Sequence, residues 1–118
     1  MAEDPRDWEI ETRAVRGGLM RSHWGEISEA LFLTQSFAYE NAAAADARFA
    51  GEAEGFIYQR FGNPTTEMFE QRLALIERAE ACRATASGMS AVHLALCGLL
   101  RAGDHLVSGR ALFGSCRW

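Results

Sequence analysis

The chain has no lysine. All twelve of its basic residues are arginines. Chemistry that needs a side-chain amine, above all a Schiff base to a carbonyl compound, is closed to every side chain here. Cysteine is sparse too. Cys82, Cys97 and Cys116 contain no CxxC pair, so neither a clustered zinc site nor a disulfide framework is expected. They read as free thiols, buried or half-buried as small residues. No apolar run is long enough for a bilayer-spanning helix. The opening MAEDPRDWEIE lacks the basic and apolar regions of a secretory signal. These absences point to a cytoplasmic protein. The net charge is −4 and the arginines are scattered, which excludes the concentrated basic face of a nucleic-acid binder. His23, His93 and His105 show no metal-ligand spacing, and no Ser/His/Asp or Cys/His arrangement stands out. What remains is an ordinary globular composition. At 118 residues and 48% hydrophobic content, the chain fits one small domain with a core.

Residues 1–41 carry no clear period. ALFLTQSFAYE has strand-like composition and reads as a strand or extended arm. NAAAADARFAG predicts a short helix ending at Gly51. EAEGFIYQRFG reads as loop or extended chain. A firmer signal starts at Asn63, a good N-cap, with Pro64 at the first helical position, where its missing N–H costs nothing. Phe69, Leu73 and Ile76 follow as one apolar stripe, predicting a helix over about 64–79. ACRATA then reads as a buried strand. Ser87 caps a second helix, with Val92, Ala95, Leu96 and Leu99 on one face, Arg101 in its last turn and Gly103 as its stop. DHLVSG reads as another strand. Helix–strand–helix–strand is the start of an α/β unit with a parallel sheet. RALFGSCRW supplies no closing helix, so the chain looks like the first part of a larger domain.

Three short constellations could carry chemistry. Ser87-Gly88-Met89 opens a helix after a strand. Unpaired amides and the helix dipole favour an anion there, and Gly88 leaves room for its approach. Tyr58-x-Arg60 offers a phenol and a guanidinium, which would point the same way on an extended segment. Leu112-Phe113-Gly114 offers a ring for stacking. Taken singly, each reads more readily as a turn or a surface side chain.

Taken together they are more specific. The order Y-x-R-x-x-N-P-T, a helix, A-T-A-S-G-M-S-A, G-D-H and L-F-G resembles the Cys/Met-metabolism family of pyridoxal-phosphate (PLP) enzymes, from about Thr12 to Trp118. The resemblance implies the aspartate-aminotransferase-like type I fold, of which this would be the N-terminal part. Residues 1–63 would be the arm and short helix that contact another subunit. Residues 64–118 would begin the PLP-binding large domain. GEISEALFLTQSFAYENAAAADARFAGEAEG and RALFGSC look most like the O-succinylhomoserine sulfhydrylases.

By that resemblance the cofactor is PLP. Tyr58 and Arg60 would reach the phosphate of a neighbouring subunit's PLP in a homo-oligomer. Gly88 and Met89 would hold the phosphate of the subunit's own PLP through their amides. Phe113 would stack on the pyridine ring where many relatives have Tyr, and it cannot exchange a proton. The implied substrates are a homoserine ester and sulfide, the products homocysteine and the free acid, with no nucleic acid or membrane partner. In relatives, the Schiff-base lysine, the aspartate at the pyridine nitrogen and the arginine for the substrate carboxylate all lie beyond position 118. The resemblance therefore implies no catalytic residue in this chain and no activity by the chain alone. A cystathionine γ-synthase, a cystathionine lyase or an O-acetylhomoserine sulfhydrylase remains an alternative. So does a non-catalytic module that docks on an intact relative.

Overall fold

The computed structural model describes residues 4–117. Four helices are formed among them: α1 (Ile10–Arg16), α2 (Ala42–Phe49), α3 (Pro64–Glu77) and α4 (Gly88–Leu99). Short 3-10 turns lie at Pro5–Asp7 and Gly114–Arg117. The chain divides into two compact units, Met1–Arg83 and Ala84–Trp118.

Local chemistry starts three of the helices. Asn41 Oδ1 accepts from the Ala44 amide at 2.9 Å. Asn63 Oδ1 accepts from the Thr65 amide at 2.9 Å, and Ser87 Oγ from the Ser90 amide at 3.2 Å. Each cap residue has extended backbone and satisfies one of the amides that a helix start leaves open. These three helices fall where the capping signals place them.

The first unit is held by bonds between distant parts of the chain. α1 packs on α3, and Arg13 Nη1 donates to the Leu75 carbonyl at 2.9 Å. Arg72 Nε donates to the Gly17 carbonyl at 2.9 Å, and its guanidinium also pairs with the Glu29 carboxylate. That carboxyl is held below its usual range, first by its own backbone N–H and then by Arg72. Gly18 lies at φ +69°, where a Cβ would stand 2.8 Å from the Met68 carbonyl oxygen. Only glycine allows both the backbone angle and the approach. At the other end of α3, Asn63 Nδ2 donates to the carbonyls of Phe32 at 3.0 Å and Thr34 at 3.4 Å. Thr65 Oγ1 accepts from the Phe32 amide at 2.9 Å. The extended arm is thereby fastened to the start of α3.

Between Ser36 and Tyr58, which form an antiparallel bridge, the chain makes a closed excursion containing α2. The Phe37 and Phe56 rings lie 5.3 Å apart, and those of Tyr39 and Phe49 6.3 Å apart. The Arg48 guanidinium sits over the Tyr39 ring at 5.4 Å.

Several expectations are corrected. The buried side of α3 is centred on Met68, which is 1% exposed, while Phe69 is 55% exposed. α1 approaches one position round from the Phe69–Leu73–Ile76 stripe, because Gly17-Gly18 allows the chain close to Met68 and Arg72. α3 packs back on α1 and so belongs to the first compact unit, which runs to Arg83. Neither ACRATA nor DHLVSG forms a strand. The arm carries only the single bridge at Ser36, and no sheet ladder exists among the described residues. A strand's amides and carbonyls need a neighbouring strand, and no described segment supplies one. ACRATA is also mostly exposed. α4 stops at Leu99, before Arg101. Gly103, at φ +99°, instead serves a turn in which the Asp104 amide donates to the Arg101 carbonyl at 3.0 Å. Asp104 Oδ2 accepts from the Arg101 amide at 2.7 Å.

The second unit is built differently. α4 has no charged residue, and none of its residues is buried. Cys97, expected to be at least half-buried, is exposed. Its thiol lies 3.6 Å from His93 Nε2, one turn earlier on the same helix.

Candidate functional site

In the first unit, the Ser36–Tyr58 bridge fixes the backbone just ahead of Arg60. The Gln59 amide donates to the Gln35 carbonyl at 2.8 Å. The chain then turns, with the Phe61 and Gly62 amides donating to the Tyr58 carbonyl at 2.8 and 3.2 Å. This corrects the expected geometry, since Tyr58 and Arg60 are not alternate residues of an extended strand. The turn brings them together instead. The Arg60 guanidinium carbon lies 5.6 Å from the centre of the Tyr58 ring and 5.3 Å from that of Phe61. Among the described residues no carboxylate pairs with Arg60. It is an exposed cation steadied by two aromatic faces, with its hydrogen-bond donors uncommitted.

In the second unit, Ser87 caps α4 and leaves the first two helical amides, those of Gly88 and Met89, without hydrogen-bond partners. A Cβ at Gly88 would meet nothing within 4 Å, so the approach to these amides is open. A helix start with free N–H groups and the positive end of the dipole suits a phosphate. Phe113, 75% exposed, precedes the Gly114–Arg117 turn, and its carbonyl accepts from the Cys116 amide at 2.8 Å. That turn places the Cys116 sulfur 3.8 Å from the Met89 sulfur, a contact the sequence reading missed. Both are soft, weakly polar groups with no sequence spacing to announce them. The described residues contain no cluster of three or more metal-ligating side chains. No described helix is long and apolar enough to cross a membrane.

A family model for Cys/Met metabolism PLP-dependent enzymes matches residues 11–118. The chain belongs to that family. An O-succinylhomoserine sulfhydrylase of Mycobacterium tuberculosis is 54% identical over 105 residues, covering 89% of this chain and 26% of the relative. One from Pseudomonas aeruginosa is 50% identical over 106 residues, covering 90% and 26%. The chain therefore spans about a quarter of the length of these relatives. Among solved structures, a putative O-acetylhomoserine (thiol)-lyase of Campylobacter jejuni superposes with a TM-score of 0.73 at 35% identity. The match covers 83% of this chain and 24% of that one, and the Campylobacter structure contains a pyridoxyl-lysine phosphate. The described helices are thus those of the N-terminal part of a type I PLP-dependent fold, and PLP is the family's cofactor. The open amides of Gly88 and Met89 fit its phosphate.

Proposed function

We propose that this chain supplies the phosphate-holding part of a cytoplasmic PLP-dependent sulfhydrylase, which forms homocysteine from O-succinylhomoserine and sulfide with release of succinate. The observation that carries the reading is the open start of α4. Gly88 and Met89 present two unpaired amides behind a Ser87 cap, where the subunit's own cofactor phosphate would sit. Arg60, with Tyr58 beside it, is a cation without an acid partner among the described residues and would bind the phosphate of a neighbouring subunit's cofactor in a homo-oligomer. Phe113 would cover one face of the pyridine ring, excluding water from it. Bound PLP supplies an electron sink for exchange at the substrate's γ-carbon. No residue of this chain can hold PLP through a lysine, so the chain alone would be inactive. The high identity to two sulfhydrylases favours the succinyl ester. The lack of a hydroxyl on Phe113 argues against lyase chemistry that needs one.

A chimera tests this. The corresponding quarter of the M. tuberculosis relative is replaced by this chain, stripped of cofactor and titrated with PLP. The chimera should regain the bound-PLP absorbance and release homocysteine faster from O-succinylhomoserine than from O-acetylhomoserine. Arg60→Ala and Gly88→Val should each weaken PLP binding by on the order of tenfold, the scale of one charge-assisted contact. Unchanged PLP affinity in both variants would overturn the site. A preference for the acetyl ester would overturn the substrate.

A further inference from the structure

We propose that a cleft formed by the N-terminal turn, α1 and α3 is a binding site for a small oxyanion, anchored by Arg13. The cleft has a volume of about 1020 Å³ and lies wholly within the first unit. Arg6, Arg13, Arg16 and Arg78 line it, against the two acids Asp4 and Glu80. Asp4 is already engaged, because its carboxylate accepts from the Arg6 amide at 2.9 Å. The cleft shares no residue with the cofactor site proposed above and does not depend on that reading.

Arg13 is the anomaly. It is 6% exposed. Its Nη1 donates to the Leu75 carbonyl, but its Nε is buried without an acceptor. Among the described residues no carboxylate pairs with it. Arg72, at the same helix junction, provides the contrast, since it has both the Gly17 carbonyl and the Glu29 carboxylate. One junction thus holds one neutralised guanidinium and one that is not. Burying an unpaired charge is costly, and an oxyanion in the cleft would give the Arg13 guanidinium the counter-charge that the described residues do not supply. A guanidinium matches a carboxylate or phosphate edge with paired donors. Arg16 and Arg78, both exposed, add attraction at the rim.

The full 118-residue chain, with 15N-labelled arginine, is titrated with inorganic phosphate and separately with malonate, at constant ionic strength. The Nε–Hε signals of Arg13, Arg16 and Arg78 should shift together and saturate, while that of Arg110 in the second unit stays put. Saturation by phosphate alone, by malonate alone or by both supports the site and identifies which oxyanion it takes. Arg13→Gln should weaken binding by on the order of tenfold, read on Arg16 and Arg78. Arg78→Gln, an exposed change that leaves the junction intact, should weaken it by a smaller factor. Two results would overturn the proposal. One is a linear, unsaturable drift shared by all the arginines, Arg110 included. The other is a folded Arg13→Gln chain of unchanged affinity.

Discussion

The two units of this chain contain the same kind of helix and hold it in different ways. α3 begins at an asparagine cap and is then fastened from both sides, by Asn63 and Thr65 to the arm and by Arg72 to Gly17 and Glu29. α4 begins at a serine cap, and Ser87, Ser90, His93 and Cys97 bond to near neighbours, while Met89 meets Cys116 of the same unit. Its apolar residues, Leu99 among them, are exposed. A helix that is apolar on all sides is built to be buried. A cap and a run of good helix formers suffice to place a helix, but tertiary contacts supply most of its stability.

Substitutions that loosen one unit and spare the other would sharpen this contrast. Gly18→Ala should have the largest effect. It puts a Cβ against the Met68 carbonyl at a positive φ, and should cost the first unit about 3 kcal/mol by urea titration. Amide exchange of α3 should quicken while that of α4 is unchanged. Equal acceleration in both helices would break the contrast. Asn63→Ala removes a cap and leaves the half-buried Phe32 carbonyl without its donor, for about 2 kcal/mol. Asn63→Asp separates these losses, since it keeps the acceptor for Thr65 but cannot donate. If Asn63→Asp is as stable as the parent, the tie to the arm adds nothing. Ser87→Ala should cost about 1 kcal/mol, seen as faster exchange at the start of α4 only.

Arg78→Gly should act in the opposite direction. Arg78 closes α3 at φ 53°, a left-handed conformation that glycine adopts without penalty, so the first unit should gain about 1 kcal/mol. The smallest effect is acidic. The Ser22 hydroxyl and amide donate to the Glu26 carboxylate at 2.6 and 2.7 Å. The side-chain bond leads in lowering its pKa from 4.5 to about 2. A depressed carboxylate stabilises the fold above its unfolded value, and that contribution is lost as pH falls through the folded one. The 22–26 turn should therefore keep its amide shifts down to about pH 3 and lose them near pH 2. Loss already at pH 4.5 would show that the Ser22 bonds do not persist in solution.

What the sequence made legible follows the same division. Asn41, Asn63, Pro64 and Ser87 announce their helices because capping acts within a few residues. The strands were not realised because pairing is a property of two segments, and ACRATA and DHLVSG each contain only one side of it. α1 escaped notice because a seven-residue helix has too few turns for a period, and what holds it is Arg13 reaching Leu75. Of the candidate site, residue types and local geometry at Ser87-Gly88-Met89 were readable. The pairing of Tyr58 with Arg60 was foreseen, but its route was not, because the turn depends on the bridge to Ser36. The Met89–Cys116 contact links residues with no shared pattern.

That bridge has a practical consequence. Segment 37–57 leaves and rejoins the chain at one clasp, Ser36 with Tyr58 and Gln35 with Gln59. Lengthening a loop whose ends are already joined costs little, because closure entropy grows only slowly with length. A peptide tag or fluorophore-bearing segment spliced after Gly51, where a side chain would meet nothing within 4 Å, should leave Arg60 where it is. The excursion around α2 is thus a natural port for grafting, separate from the residues on which the chemistry would depend.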